Sequence, residues 1–191
     1  MCKEPTKKEI AFIKAKISTS LKTLIKKDSN IFNIDLSIEE SQQISEDAKK
    51  LNRKLHETCI NHRFAHYLEN ALVSTKYTNY NVDIEYNRFY ENLKLLENID
   101  GQEAVRPDIV IHTRVNNNFD PQHLLVIEAK KEEISIHDIG KIKRFIRDSN
   151  YNYVFGLTVS YCYDPTYILA NLYYFNGTEI VSEALNKKKY Y

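Results

Sequence analysis

The spacing of hydrophobic residues predicts a helix near the start of the chain. Isoleucine and leucine recur every three or four positions over residues 10–24, the period that places side chains on one face of a helix. Thr6 and Glu9 stand just before this run with the spacing of a capping box, in which each side chain accepts from a backbone N–H group of the other residue. We therefore predict a helix that opens at Thr6 and ends near Lys27.

A second helical region is predicted to reach about Ser74. Residues 31–36 form a short connector, and Ser37 and Glu40 then have the spacing of another capping box. Farther along, apolar residues keep helical spacing and form one core-facing strip: Leu51, Leu55, Ile60, Phe64, Leu68 and Leu72.

Past the second helical region, the period changes to the two-residue alternation of a strand. Residues 82–89 alternate in this way and predict one strand, and the polar residues 90–104 predict a connection that is partly helical. Residues 106–112 and 124–130 are short apolar runs that predict two buried strands, joined by the loop 115–122.

The last third of the chain predicts one helix and three strands. Residues 134–148 carry an apolar stripe at helical spacing, and residues 153–161 form an apolar strand. Strands over residues 167–175 and 178–181 flank Asn176-Gly177, which favours a two-residue hairpin turn. Because a strand–helix–strand crossover follows a three-stranded meander, we predict an α/β fold in which a mixed sheet carries helices on both faces.

The length of 191 residues is typical of one domain. We divide it into an N-terminal helical extension (1–46), a core (47–182) and a tail (183–191). Charge is balanced overall, with 27 basic and 26 acidic residues, but residues 1–28 hold eight lysines and three acidic residues. This segment either touches phosphate groups of a nucleic acid or is the solvated face of an amphipathic helix, and the sequence favours neither.

The cysteines and the distribution of apolar residues predict the compartment. Cys2, Cys59 and Cys162 are scattered and odd in number, which argues against a disulfide framework and against a structural zinc site. The sequence contains neither an apolar stretch of membrane-spanning length nor a signal-peptide core. We therefore predict a soluble, cytoplasmic protein with no membrane partner.

The candidate chemistry lies on the two central apolar runs. Asp108 stands on the first run, and Glu128 and Lys130 stand on the second. If these strands pair antiparallel, the start of the first lies beside the end of the second, so Asp108 meets Glu128 and Lys130. Two carboxylates at the end of a hydrophobic sheet are costly unless a cation or a reaction needs them.

These residue types suit a magnesium or manganese site. Carboxylates without neighbouring cysteine are hard oxygen ligands that favour Mg²⁺ or Mn²⁺ over zinc, and the backbone carbonyl of Ala129 can add a ligand. A metal so held polarises a phosphoryl oxygen and lowers the pKa of a bound water. Lys130 can position that water and offset transition-state charge. The pattern therefore indicates metal-assisted cleavage of a phosphodiester bond.

Pro107-Asp108, followed on the next predicted strand by Glu128-Ala129-Lys130, resembles the signature of the PD-(D/E)xK nuclease superfamily, which has the restriction-endonuclease-like fold. The predicted order of elements also matches, from the helix before residue 74 to the strand that ends near Phe175. The resemblance implies a Mg²⁺-dependent nuclease that acts on DNA, with RNA as the less expected substrate. A homodimer is expected because cutting two strands needs two sites.

Members of this superfamily also place a glutamate on the first core helix. Glu57 is the best match, because it has helical spacing with Ile60 and Phe64 and therefore faces inward. It is expected to serve a second metal ion or a water. Glu69 and Glu85 remain alternatives. The expected catalytic residues are thus Glu57, Asp108, Glu128 and Lys130.

Basic residues on the helix over residues 134–148 are candidates for nucleic-acid binding. The resemblance gives Lys141 this role, and Arg144 lies on the same helix. A solvated polar face explains them equally well. The alternative for the whole protein is a catalytically silent module of the same fold that binds nucleic acid or protein.

Overall fold

The computed structural model describes residues 2–28, 31, 57–98, 101–114, 118–131, 133–161 and 168–185. In these residues three helices form: α1 (Lys7–Lys27), α2 (Glu57–Leu72) and α3 (Ile136–Arg147). The strands are β1 (Asn81–Ile84), β2 (Arg88–Phe89), β3 (Asn92–Leu93), β4 (Leu95–Asn98), β5 (Gly101–Ala104), β6 (Ile109–His112), β7 (His123–Lys130), β8 (Phe155–Ser160), β9 (Leu169–Phe175) and β10 (Ile180–Ala184).

Six strands form the main sheet, in the order β1-β6-β7-β8-β9-β10. Only β7 and β8 are parallel, and α3 is the crossover between them. The other neighbours pair antiparallel. This architecture confirms the predicted mixed α/β class, with a mostly antiparallel sheet.

Side chains of the central strands alternate between two apolar cores. Ile109 and Ile127 point into the core that contains residues of α1 and α2. Val110 and Val126 point into the core formed with α3. Because strand side chains alternate faces, Glu128 belongs with Val126 on the α3 face. The sheet is therefore covered by helices on both sides, as predicted.

Two of the helices, α1 and α3, begin at capping boxes that can be read in the sequence. Thr6 and Glu9 form the predicted box at the start of α1. Ser135 and Asp138 form a second box at the start of α3. Buried residues of α1 belong to the same core as the sheet, so the described part of the N-terminal extension packs onto the core. The predicted capping box at Ser37 and Glu40 and the apolar positions Leu51 and Leu55 lie outside the described residues.

Two local predictions are wrong. The single strand over residues 82–89 is interrupted at Glu85, whose φ of 50° turns the backbone into the left-handed region. The partly helical connection over residues 90–104 consists, where it is described, of two short hairpins, β2–β3 and β4–β5. Isolated apolar residues such as Leu96 and Val105 anchor these hairpins in the core beneath α3. Because these residues do not recur at a helical or strand period, the sequence pattern did not predict the hairpins. At the other end of the chain, β10 continues into the predicted tail.

Among the described helices, none has both the length and the apolar character needed to cross a membrane.

Gly156 is expected to be essential to the packing of α3 on the sheet. A Cβ atom at this position of β8 would overlap Cγ2 of Ile142 and lie 3.2 Å from Cδ1 of Ile146. Gly156→Ala should therefore lower the free energy of unfolding by about 1–3 kcal/mol through overpacking, measured by urea denaturation. Gly140→Ala is the control, because its Cβ meets nothing within 4 Å and removal of a helix glycine should stabilise by up to about 1 kcal/mol. Equal stability of both variants would contradict close packing at Gly156.

Candidate active site

The candidate residues lie where β6 begins and β7 ends. Ile109 pairs with Ile127 in the antiparallel register, so Asp108, one residue earlier, lies level with Glu128. Oδ2 of Asp108 accepts a hydrogen bond of 2.8 Å from the backbone N–H of Ala129. This contact ties the start of β6 to the end of β7 and confirms the predicted pairing.

The backbone carbonyl of Ala129, which was predicted to be a metal ligand, lies opposite Pro107. Continued by two residues, the register of Ile109 and Ile127 sets Pro107 opposite Ala129. Proline has no N–H group to donate to the carbonyl opposite it. The Ala129 carbonyl at this edge of β7 therefore has no backbone donor from Pro107, which leaves it available for another partner.

Lys130 lies between two carboxylates. Its Nζ is 3.9 Å from Oδ2 of Asp108 and 3.5 Å from Oε1 of Glu57. Glu57 is the first residue of α2, and its Oε2 accepts a hydrogen bond of 3.0 Å from the backbone N–H of Lys131. Glu57 thus connects the start of α2 to the end of β7.

The two alternatives to Glu57 occupy different positions. Glu69 is exposed and lies twelve residues farther along α2, about 18 Å from Glu57 at the rise of an α-helix. Glu85 lies at the edge of the site, since its backbone N–H donates to the carbonyl of Asp108 at 2.9 Å. Its side chain pairs with Arg106 at 3.5 Å, whereas the described ion pairs of Lys130 are with Glu57 and Asp108.

Glu128 is the most deeply buried of these carboxylates. Its side chain is 1% exposed, and Oε2 lies 2.7 Å from Nζ of Lys141 on α3. Oε1 has no hydrogen-bond partner among the described residues, nor has the buried Oγ1 of Thr158, which pairs with Glu128 in the register of β7 and β8. Two buried oxygens without partners on adjacent strands are costly, and they define a place where a ligand would be stabilised.

Burial controls the protonation of the two carboxylates. Burial raises the pKa of Glu128 to about 8, with the ammonium of Lys141 acting in the opposite direction. Burial also raises the pKa of Asp108, against the hydrogen bond from Ala129 and the charge of Lys130. Burial acts to lower the pKa of Lys130, but the surrounding carboxylates, Asp108 first among them, outweigh it and raise that pKa. Lys130 is therefore held as a cation.

Two supporting residues were missed by the sequence reasoning. Tyr161 is buried just after β8, and its hydroxyl donates to Oδ1 of Asn61 on α2 at 2.8 Å. Its backbone N–H donates to the carbonyl of Lys130 at 2.8 Å. Tyr161 therefore fixes α2 against the strand that carries Lys130. In the sequence, Asn61 could have indicated this contact, because it is a polar residue one turn after Glu57 on the inward face of the helix.

The other candidates lie elsewhere. Arg144 hydrogen-bonds Oε2 of Glu103 at 3.2 Å and the carbonyl of Glu97 at 3.1 Å, so its guanidinium is already engaged with the β4–β5 hairpin. His112 is buried at the far end of β6. Its Nε2 lies 2.9 Å from Oδ2 of Asp83.

The oxygen ligands at this site suit a magnesium ion only in part. Among the described residues, no group of three or more Asp, Glu, His or Cys side chains is placed to hold one ion. Asp108 and Glu128 supply two carboxylates, and the unpartnered Oε1 of Glu128 is a hard oxygen that a cation would satisfy. Mg²⁺ in phosphoryl-transfer sites is commonly held by one or two carboxylates together with substrate phosphate. The residues therefore fit such an ion.

No protein-family model matches the chain, and a search of curated proteins also finds no match. We therefore infer its function from the geometry of the site.

Proposed function

We propose that this protein is a Mg²⁺- or Mn²⁺-dependent nuclease with the restriction-endonuclease-like fold, which hydrolyses phosphodiester bonds of DNA. The observation that supports it most is the buried Glu128, whose Oε1 has no partner among the described residues, at the end of the strand that also carries Lys130. Asp108 lies beside both residues, immediately before the neighbouring strand β6. The preference for DNA over RNA follows from the resemblance to the superfamily.

Each residue has a role that its contacts support. Asp108, Glu128 and the Ala129 carbonyl would hold the metal, with Glu57 near a second ion or a water. The metal, when bound, would polarise a phosphoryl oxygen and acidify a bound water. Lys130, kept protonated by Asp108 and Glu57, orients the attacking water and offsets negative charge on the phosphorane-like transition state. The hydrogen bond from Ala129 holds Asp108 in place.

Metal-dependent cleavage is the direct test. The protein is incubated with plasmid DNA, single-stranded DNA and RNA in Mg²⁺, Mn²⁺ or EDTA, and products are resolved on gels. Cutting that requires Mg²⁺ or Mn²⁺ supports the proposal. Absence of cutting of all three substrates, together with binding that does not depend on metal, would overturn it. Light scattering of the protein with and without duplex DNA tests the expected homodimer.

Glu57→Gln should lower the cleavage rate about tenfold. The substitution keeps an acceptor for the backbone N–H of Lys131 but removes the charge that helps to hold Lys130, and loss of a residue that orients catalytic groups typically costs about 10–100-fold. Initial rates on a labelled duplex measure the effect. Glu69→Gln is the matched control on the same helix, because Glu69 is exposed and remote. A loss confined to Glu69→Gln would assign the role to the other glutamate.

A catalytically silent binding module is the second candidate, and one contact favours it. The ammonium of Lys141 lies 2.7 Å from Oε2 of Glu128, where it supplies the positive charge that a metal would otherwise provide. A protein of this kind would bind nucleic acid equally well in EDTA and in Mg²⁺ and would cut none. The cleavage assay above separates the two functions.

A further inference from the structure

A small pocket lies between the β2–β5 hairpins and the end of α3. Its volume is about 210 Å³, below the roughly 300–1,000 Å³ of sites that enclose drug-sized ligands. Phe89, Leu93 and Tyr151 are among the residues that line it. A space of this size suits a single heterocyclic ring system.

The aromatic side of the pocket is held rigidly. The rings of Phe89 and Tyr151 meet edge to face, with centroids 4.9 Å apart. The Tyr151 hydroxyl donates to the carbonyl of Leu95 at 2.9 Å and accepts from its N–H at 2.8 Å. Leu93 is 49% exposed and Leu95 is 36% exposed. Tyr151 is itself 3% exposed, so Leu93 and Leu95 supply most of the exposed apolar surface of the pocket.

The rim of the pocket carries amide side chains. Asn92, Gln102 and Asn150 all line it and are exposed. An amide presents both a donor and an acceptor, and asparagine and glutamine match the edges of nucleic-acid bases in this way. Glu97 also lines the pocket, and its carboxylate can accept from an exocyclic amino group of a base.

Basic residues connect this pocket with the candidate active site. Lys141, Arg144 and Arg147 are three residues apart on α3, so they rise by about 4.5 Å from one to the next on neighbouring parts of the helix surface. Lys141 contacts Glu128 at one end of this row. At the other end, Arg144 and Arg147 line a second pocket, which shares Glu97 and Asp148 with the first. A phosphate chain that follows the row would run from the carboxylates to the amide-lined pocket.

We propose that this pocket receives one unpaired base of the nucleic-acid substrate, while the exposed Arg147 binds an adjoining phosphate. This inference rests on the proposed function and specifies its substrate, which would be single-stranded or locally unpaired near the cut. Stacking and edge contacts on one base are worth enough to select such a strand over a blunt duplex.

Binding without catalysis tests the pocket. Fluorescence anisotropy in EDTA compares a labelled mixed-sequence single strand with a blunt duplex of the same length. Leu93→Ala and the double variant Asn92→Ala/Gln102→Ala should each weaken single-strand binding about tenfold and leave duplex binding within about twofold. Leu169→Ala is the matched control, because Leu169 is an exposed leucine (41%) on β9, and it should change neither affinity.

The outcomes separate this inference from the nuclease proposal. If the variants bind single strands as tightly as the wild type and still cut in a metal-dependent way, the pocket does not bind a base, and the nuclease proposal stands. If the variants lose single-strand binding selectively, and neither they nor the wild-type protein cut DNA, base binding in the pocket is supported and the nuclease proposal is overturned. Equal affinity of the wild-type protein for both DNA forms would overturn the pocket, and the exposed apolar rim would then suit a protein partner. Thermal unfolding of each variant verifies that the fold is retained.

Discussion

Asp108→Asn is expected to lower the rate of metal-dependent DNA cleavage by at least about 100-fold while leaving stability almost unchanged. Asparagine can still accept the hydrogen bond from the Ala129 N–H, so the junction of β6 and β7 is kept. The negative charge is lost, and loss even of groups that merely orient metal ligands costs about 10–100-fold. Because burial raises the pKa of Asp108, a neutral side chain is tolerated, and Tm should stay within about 3 °C, or roughly 1 kcal/mol for this size.

The measurement pairs single-turnover rates with calorimetry on the same sample. Asp120→Asn is the control, because Asp120 is 89% exposed and its ion pair among the described residues is with Lys3 at the surface. Lys130→Met should likewise lower the cleavage rate strongly while changing Tm little. A rate for Asp108→Asn within threefold of wild type would remove Asp108 from the metal site, whereas a large fall in Tm would show that its charge supports the fold.

Lys94 is the second residue at which a large effect is expected. It is 1% exposed and is surrounded by tyrosine rings, with Nζ 5.0 Å from the centroid of Tyr86 and 5.7 Å from that of Tyr153. It donates a hydrogen bond of 3.2 Å to the Tyr153 hydroxyl. Burial lowers the pKa of Lys94 to about 7, against the charge of Asp83. At neutral pH the unfolded chain binds a proton at Lys94 more tightly than the folded protein does. The buried lysine therefore lowers the free energy of unfolding.

Lys94→Met is therefore expected to stabilise the protein at pH 7 by about 1–3 kcal/mol, as replacement of buried charges by apolar residues often does. The sign of the pH dependence follows from the protons bound. Between pH 7 and the ordinary lysine pKa of 10.5, the unfolded state holds more protons than the folded state, so stability rises with pH. From pH 7 to 9.5 the wild-type protein should gain about 3 kcal/mol relative to the variant.

Urea denaturation of both proteins at a series of pH values measures this difference, and other titrating groups cancel in it. Lys22→Met serves as the control, because Lys22 is exposed on α1 and should give a difference that does not vary with pH. A difference between wild type and Lys94→Met that stays constant from pH 7 to 9.5 would show that Lys94 keeps its proton in the folded state.

The local pattern of the chain determined those elements whose signals lie within a few residues of one another. Helix α1 follows from its apolar period and the box of Thr6 and Glu9. Asn176-Gly177 correctly predicted the β9–β10 hairpin, but four residues (176–179) join the strands where two were predicted. Gly177 takes a φ of 94°, which glycine adopts readily. The meeting of Asp108 with Glu128 and Lys130 was also predictable, because a short loop joins two apolar strands and so leaves antiparallel pairing as the simplest arrangement.

Tertiary structure decided which distant residues cover these elements. Lys94 lies in a polar stretch and would be expected in solvent, but Tyr151 and Tyr153, almost sixty residues later, enclose it together with Tyr86. The ion pair of Glu128 with Lys141 depends on where α3 packs, and so does the place of Arg144 against Glu103. Periodicity reports which side of an element is apolar, while burial and pairing of charges depend on contacts between elements far apart in sequence. For this reason the sequence determined the candidate carboxylates and lysine, and the fold determined their protonation, their partners and the pocket at the other end of α3.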